Sequence, residues 1–191
     1  MSYLTDMANR YIPPPANVKT LKKKNGRTHD IIQVILSTAP KGLDDTAAFA
    51  PYVKRQSVFH TCMALWHFIK RNIEYQTDPL GVQYVQTPSY TWYRGRGDCK
   101  SYSIFISTVL RNLGIDHLLR FVKFSNSGEY THVYVVVPNK GQLIIMDDVM
   151  PGFNQEKPYK QKKDYKMAEI YQMSGIGVGE IPNIQGPKLF D

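Results

Sequence analysis

Hydrophobic positions change their period part-way along the chain. From Ile31 to Leu36, and again from Val58 to Ile73, apolar residues recur with the spacing of one helix face. Thr28 or Asp30 is placed to cap the first of these helices, and Pro40 and Gly42 end it. Asp44 opens a short helix that reaches Lys54. Ser57 opens the next, whose apolar faces carry Val58, Met63, Leu65, Trp66, Ile69 and Ile73. Residues 76–97 read as a long loop, with Asp78-Pro79, Gly81, Pro88, Gly95 and Gly97 among the aromatics Tyr84, Tyr90, Trp92 and Tyr93. Long connections of this kind in compact domains are often functional. Asp98 or Cys99 starts a further helix, continued at helical spacing by Ile104, Phe105, Ile106, Val109, Leu110 and Leu113 and stopped by Gly114.

Beyond Gly114 the pattern becomes strand-like. Leu118 to Phe124, His132 to Val137 and Gln142 to Met146 are rich in β-branched residues. Asn126-Ser127-Gly128 and Pro138-Asn139-Lys140-Gly141 are the turns between them. Tyr165 to Met173 fits one more helix. A helical first half followed by an antiparallel second half predicts an α+β fold. Residues 1–27, with Pro13-Pro14-Pro15 and Lys22-Lys23-Lys24, read as an irregular basic N-terminal arm. Residues 28–150 form the folded domain, and 151–191 a Lys- and Gly-rich C-terminal extension. The glycines at 175, 177 and 179 are no dinucleotide fingerprint, because no strand leads into them and no helix follows.

Composition narrows the function classes. The chain has 191 residues, 42% hydrophobic and 21% charged, which suits one domain with a proper core. No apolar run approaches the roughly 18 residues of a membrane span. Met1 to Pro15 lacks the apolar centre of a secretory signal. The expectation is a cytoplasmic protein without a membrane partner. The net charge of +8 is concentrated in Lys22-Lys23-Lys24 and in Lys157 to Lys166, beside turn-forming residues. This reads as solvated surface; with no zinc finger, RNA-binding sheet motif or phosphate loop, nucleic acid is not an expected partner. Cys62 and Cys99 are the two cysteines and form no C-x-x-C pair, so reduced thiols are expected. His60 and His67 lie too far apart on their helix for the usual ligand spacing, so no metal and no other cofactor is expected.

One set of residues carries chemistry. Cys99 follows Gly97-Asp98 at a helix start, where unpaired N–H groups and the helix dipole favour a negative charge. A thiolate is the nucleophilic form of cysteine. His132 opens one strand and Asp147 closes the next, and an antiparallel hairpin brings those two ends together. The order suits a nucleophile, its base and the group that orients the base. Asp148 points to the opposite face if the strand continues, so Asp147 is preferred.

These residues resemble the transglutaminase-like superfamily. Arg96-Gly97-Asp98-Cys99-Lys100-Ser101-Tyr102-Ser103 with Leu110, Leu113, Gly114 and Ile115 is similar to its nucleophile helix. Thr131-His132-Val133-Tyr134-Val135 resembles its His strand, and Leu143-Ile144-Ile145-Met146-Asp147 its Asp strand. Phe68 to Tyr75 resembles the helix that precedes the nucleophile. The likeness covers residues 56–150, and Phe153 to Pro158 is similar to small members of bacterial and prophage origin. It implies a papain-like fold, with the nucleophile helix packed on an antiparallel sheet. It also implies acyl transfer on an amide of a protein or peptide, with Cys99 as nucleophile, His132 as base and acid, and Asp147 as orienting group. An oxyanion hole is then required. The Cys99 N–H is one donor, and Gln86, Gln83 or the Trp92 indole the other. Hydrolysis of the peptidase or amidase type is the first expectation. Amine transfer that cross-links proteins is the alternative, and a non-catalytic structural or phage-particle module that retains the fold is the rival.

Overall fold

The computed structural model describes residues 2–15, 21–24, 28–79, 82–126 and 128–175. Helices α1 (Tyr3–Tyr11), α2 (Thr28–Lys41), α3 (Leu43–Ala47), α4 (Ala50–Val53) and α5 (Val58–Asn72) dominate the first part, together with strand β1 (Leu21–Lys24). Short elements lead to the centre of the chain: β2 (Glu74–Tyr75), β3 (Val82–Val85), α6 (Pro88–Arg94) and β4 (Arg96–Gly97). Helix α7 (Cys99–Asn112) follows, then β5 (Leu118–Lys123), β6 (His132–Asn139), β7 (Gln142–Met146), β8 (Gln161–Lys166) and α8 (Met167–Met173).

The main sheet has the order β7-β6-β5-β8, and every neighbouring pair is antiparallel. Alternation along its strands sends the residues to two layers. Leu119, Phe121, Val133, Val135, Val137, Ile144 and Met146 join the large core with the helices. Val122, Tyr134, Val136 and Ile145 pack on the other face, with Leu118 and Tyr159 beside them. Arg120 lies on that second face and is only 2% exposed. It donates a fork of hydrogen bonds to Asp164 at 2.8 and 2.9 Å and a third to Glu156 at 2.8 Å. These bonds hold β8 and the segment before it onto the sheet.

Helix α7 is the buried axis of the helical layer, with every residue from Lys100 to Leu110 buried. Phe105 meets Phe49 and Phe68, whose ring centroids lie 6.4 and 6.2 Å away. Full burial of such a side chain is worth about 1.5–3 kcal/mol. Two small polar residues of α7 bond to neighbouring elements, whereas the buried Ser101 Oγ has no partner among the described residues. Ser103 donates to the Val133 carbonyl at 3.1 Å, and Ser107 bonds His117 Nε2 at 2.7 Å. Burial drives the His117 pKa down to about 4, so this contact is neutral. Helix α7, which begins at Cys99, is therefore bolted to strand β6, which begins at His132.

The chain departs from its sequence reading where elements are short or charged. The N-terminal arm contains α1, capped by Ser2, whose Ala8 is buried while Leu4, Met7 and Tyr11 pack on the core. Its β1 pairs antiparallel with β3. The expected loop at 76–97 holds β3, α6 and β4. The helix expected from Asp44 to Lys54 is two short ones, because Pro51 starts a new turn in α4. The helix expected to begin at Tyr165 begins at Met167, since 161–166 form β8. That strand is lysine-rich because it is an edge strand, where charge discourages pairing with another chain. Gly177 and Gly179 lie outside the described residues.

Candidate active site

Short backbone devices set Cys99 in place. Gly95 takes a left-handed conformation (φ 63°) and closes α6. The chain then pairs in parallel with β2: Glu74 N–H donates to the Gly95 carbonyl at 2.8 Å and Gln76 N–H to that of Gly97 at 2.9 Å. A Cβ on Gly97 would lie 2.8 Å from Ser101 Cβ, so only glycine lets the strand enter the helix this closely. Asp98 is the cap, its Oδ1 accepting from the N–H groups of Lys100 (3.0 Å) and Ser101 (3.3 Å). Cys99 is the first residue of α7 and half-buried. Its own N–H is not among those the Asp98 carboxylate takes.

His132 and Asp147 meet across the hairpin ends. His132 Nε2 donates to Asp147 Oδ2 at 2.8 Å. The other oxygen of Asp147 accepts from Val149 N–H at 3.1 Å, and its carbonyl accepts from the Trp66 indole at 3.1 Å. The carboxylate is thus held at both oxygens, and its backbone is held by Trp66. Cys99 lies beside His132, both lining one cavity, and acts on the ring together with Asp147. Burial pulls the His132 pKa down, but the bond to Asp147 and the neighbouring Cys99 outweigh it and lift the pKa to about 10. The ring therefore holds a proton through neutral pH.

Asp148, the neighbour of Asp147, is 3% exposed, and neither carboxyl oxygen has a hydrogen-bond partner. Burial and the Asp147 charge push its carboxyl well above the usual range, against the pull of Lys70. Lys70 grips the backbone here, donating to the carbonyls of Asp148 (2.7 Å) and Met150 (3.0 Å).

Two groups beside Cys99 escaped the sequence reading. Lys100 sits between Asp98 and Asp78, with Asp78 Oδ2 at 3.0 Å, and all three side chains are nearly buried. Asp78 also accepts from Tyr84 N–H at 2.8 Å, so the bridge ties β3 to the start of α7. Tyr75 lies near Cys99 and Asp98; burial first, and then their charges, raise its pKa to about 12. Asp78 looked like a turn residue, and a two-residue parallel pairing leaves no periodic trace.

A family model for the transglutaminase-like domain matches residues 44–174. The chain belongs to the transglutaminase-like domain family. The matched part of this transglutaminase-like chain runs from α3 to α8, while α1, β1 and α2 precede it. Among solved structures, a "putative protease" from Parabacteroides distasonis aligns with a TM-score of 0.48 and 14% identity over 60% of this chain. The aligned region is 26% of that chain. No curated protein matches. Among the described residues, no helix is long and apolar enough to cross a membrane.

A cavity of about 480 Å³ opens beside Cys99 and His132 in this transglutaminase-like domain. Gln83 is on its wall, with Lys100, Glu129, Tyr130 and Thr131. Gln86 is elsewhere: it is buried, its Oε1 accepts from Thr91 at 3.4 Å, and it borders a separate hollow with Asp78 and Arg94. Trp92 is stacked on Phe68 with centroids 5.3 Å apart and packs on the core. Of the three second-donor candidates, only Gln83 shares a cavity with Cys99.

Proposed function

We propose that the protein is a cysteine-dependent acyl-transfer enzyme that hydrolyses an amide bond of a protein or peptide, with Cys99 as nucleophile, His132 as base and acid, and Asp147 as orienting group. The observation that carries this reading is that Cys99 and His132 line one cavity while His132 is hydrogen-bonded to Asp147. The buried ring holds a proton at neutral pH, and in the proposed mechanism this imidazolium is the counter-ion of the attacking thiolate.

The thiolate sulfur attacks the amide carbonyl, and the C–N bond breaks as His132 gives its proton to the leaving amine. A thioester remains on Cys99. His132, now neutral, takes a proton from water as its oxygen attacks the thioester carbonyl. The C–S bond breaks, a carboxylic acid leaves and the thiolate returns. Asp147 keeps the ring in one tautomer and stabilises the imidazolium in both halves. The Cys99 N–H is the first oxyanion donor and Gln83 the second. Losing one such donor typically costs about 100- to 1000-fold in turnover.

The test is turnover of a mixed peptide library that includes glutamine side chains, with and without a primary amine. Release of ammonia or a new amino terminus, abolished in Cys99→Ala and in a folded His132→Ala, is the expected result. Retained turnover in His132→Ala would remove the triad. Incorporation of the amine in place of hydrolysis would move the reaction to cross-linking.

A further inference from the structure

We propose that α2 is the specificity wall of the site: Ile31, backed by the buried Ile32 and Ile35, makes the cavity beside Cys99 a pocket for an apolar side chain of the substrate. This rests on the reading of Cys99 and His132 as nucleophile and base.

Ile31, Ile32 and Ile35 come from α2, and Phe121 and Val133 from the main sheet. Together they line the same cavity as the Cys99–His132 pair. Ile32 and Ile35 are 2% and 1% exposed, and Ile31 is half-buried. The helix is not a loose cover, because α2 packs against α7 and β3. The wall is therefore fixed relative to the nucleophile. It is also outside the common domain, since the family match begins at 44 and α2 ends at Lys41. This chain adds the surface that meets a substrate side chain to the machinery it shares with its family.

The size suits such a group: at about 480 Å³ the space lies within the usual range of small-ligand pockets. The charges fit as well. Lys100 lines the cavity but its ammonium is paired with Asp78 and Asp98. Glu129 is exposed, and the half-buried Ile31 is the isoleucine of the three that presents surface to the cavity. Gln83, Tyr130 and Thr131 offer polar groups for a peptide backbone.

The experiment measures second-order alkylation of Cys99 in a Cys62→Ala background with three probes: iodoacetamide, N-benzyl-iodoacetamide and N-(2-aminoethyl)iodoacetamide. Apolar pockets discriminate by about tenfold or more per added methylene. The benzyl probe should therefore exceed iodoacetamide by about tenfold or more on the unaltered pocket, with the aminoethyl probe no faster than iodoacetamide. Ile31→Asp, which charges the wall, and Ile31→Trp, which fills the space, should each pull the benzyl preference towards unity. A benzyl rate equal to iodoacetamide, a faster aminoethyl probe, or an unchanged preference in a folded Ile31 variant would overturn the proposal. The preference of the unaltered pocket decides even where a variant does not fold. Failure of the catalytic reading looks different: iodoacetamide would then react no differently in His132→Ala.

Discussion

Replacing Lys100 with methionine removes the cation between two nearly buried carboxylates and keeps most of the side chain's volume. Asp98 and Lys100 are 7% and 8% exposed at their side chains and Asp78 is 12% exposed. Burial already pushes the Asp98 carboxyl above its ordinary range, with Lys100 pulling the other way. Breaking a buried pair by removing one partner costs about 3–5 kcal/mol, because the remaining charge is left without compensation. That is a large part of the roughly 5–15 kcal/mol that holds a typical domain together. The sign with pH follows from the same linkage. A carboxyl whose folded pKa lies above its unfolded value opposes folding increasingly as pH rises above the unfolded value, about 4. The Lys100→Met deficit should therefore be small near pH 4 and largest at neutral pH. Urea unfolding at both pH values measures it. Adding Asp78→Asn to Lys100→Met should recover part of the loss. A deficit under about 1 kcal/mol, or one independent of pH, would mean that the bridge behaves as an exposed pair and does not anchor the start of α7.

Cys62 is fully buried and its thiol is pushed up to about 12 by burial, so it should resist alkylation at pH 8 and Cys62→Ala should leave turnover unchanged. Mass spectrometry after iodoacetamide treatment, with label found on Cys62 in the folded protein, would contradict this. Asp148→Asn replaces a buried, unbonded carboxyl by a neutral group of the same shape, so it should raise the urea midpoint at pH 8. The gain should vanish below pH 4, where the acid is neutral in both folded and unfolded chains; a lowered midpoint at pH 8 would refute it. Gly97→Ala forces a Cβ to within 2.8 Å of Ser101 Cβ, and overpacking of this kind costs about 1–3 kcal/mol. The displaced α7 terminus should also slow Cys99 alkylation; unaltered stability and rate would show that the close entry is not needed.

How much of this could be read from the residues depends on element length. The helical spacing from Ile31 to Leu36 and along α5 and α7 is strong, and the Ser57 and Asp98 caps match it. The β-branched runs at 118–123, 132–139 and 142–146 appear as a sheet. The placement of Cys99, His132 and Asp147 at one helix start and two strand ends was legible because an antiparallel hairpin leaves few other arrangements. Pairings between distant short segments were not. The β1–β3 ribbon and the two-residue β2–β4 ladder carry no alternation of their own, yet they set the approach to Cys99. Lysines at 22–24 and 162–163 read as solvated arm and tail because edge strands carry charge where inner strands carry valine. The ion bridge at Lys100 was hidden for another reason: Asp78 and Asp98 meet only once β3 folds against α7, and no local pattern encodes that meeting.

The most direct test of the account is the pH dependence of Cys99 alkylation by iodoacetamide in a Cys62→Ala background, with and without His132→Ala. The account predicts fast reaction well below pH 7 that is lost without His132, because the imidazolium held by Asp147 persists to about pH 10. Reaction that appears only near pH 8.5, the ordinary range of a free thiol, and that is the same in both proteins would contradict it.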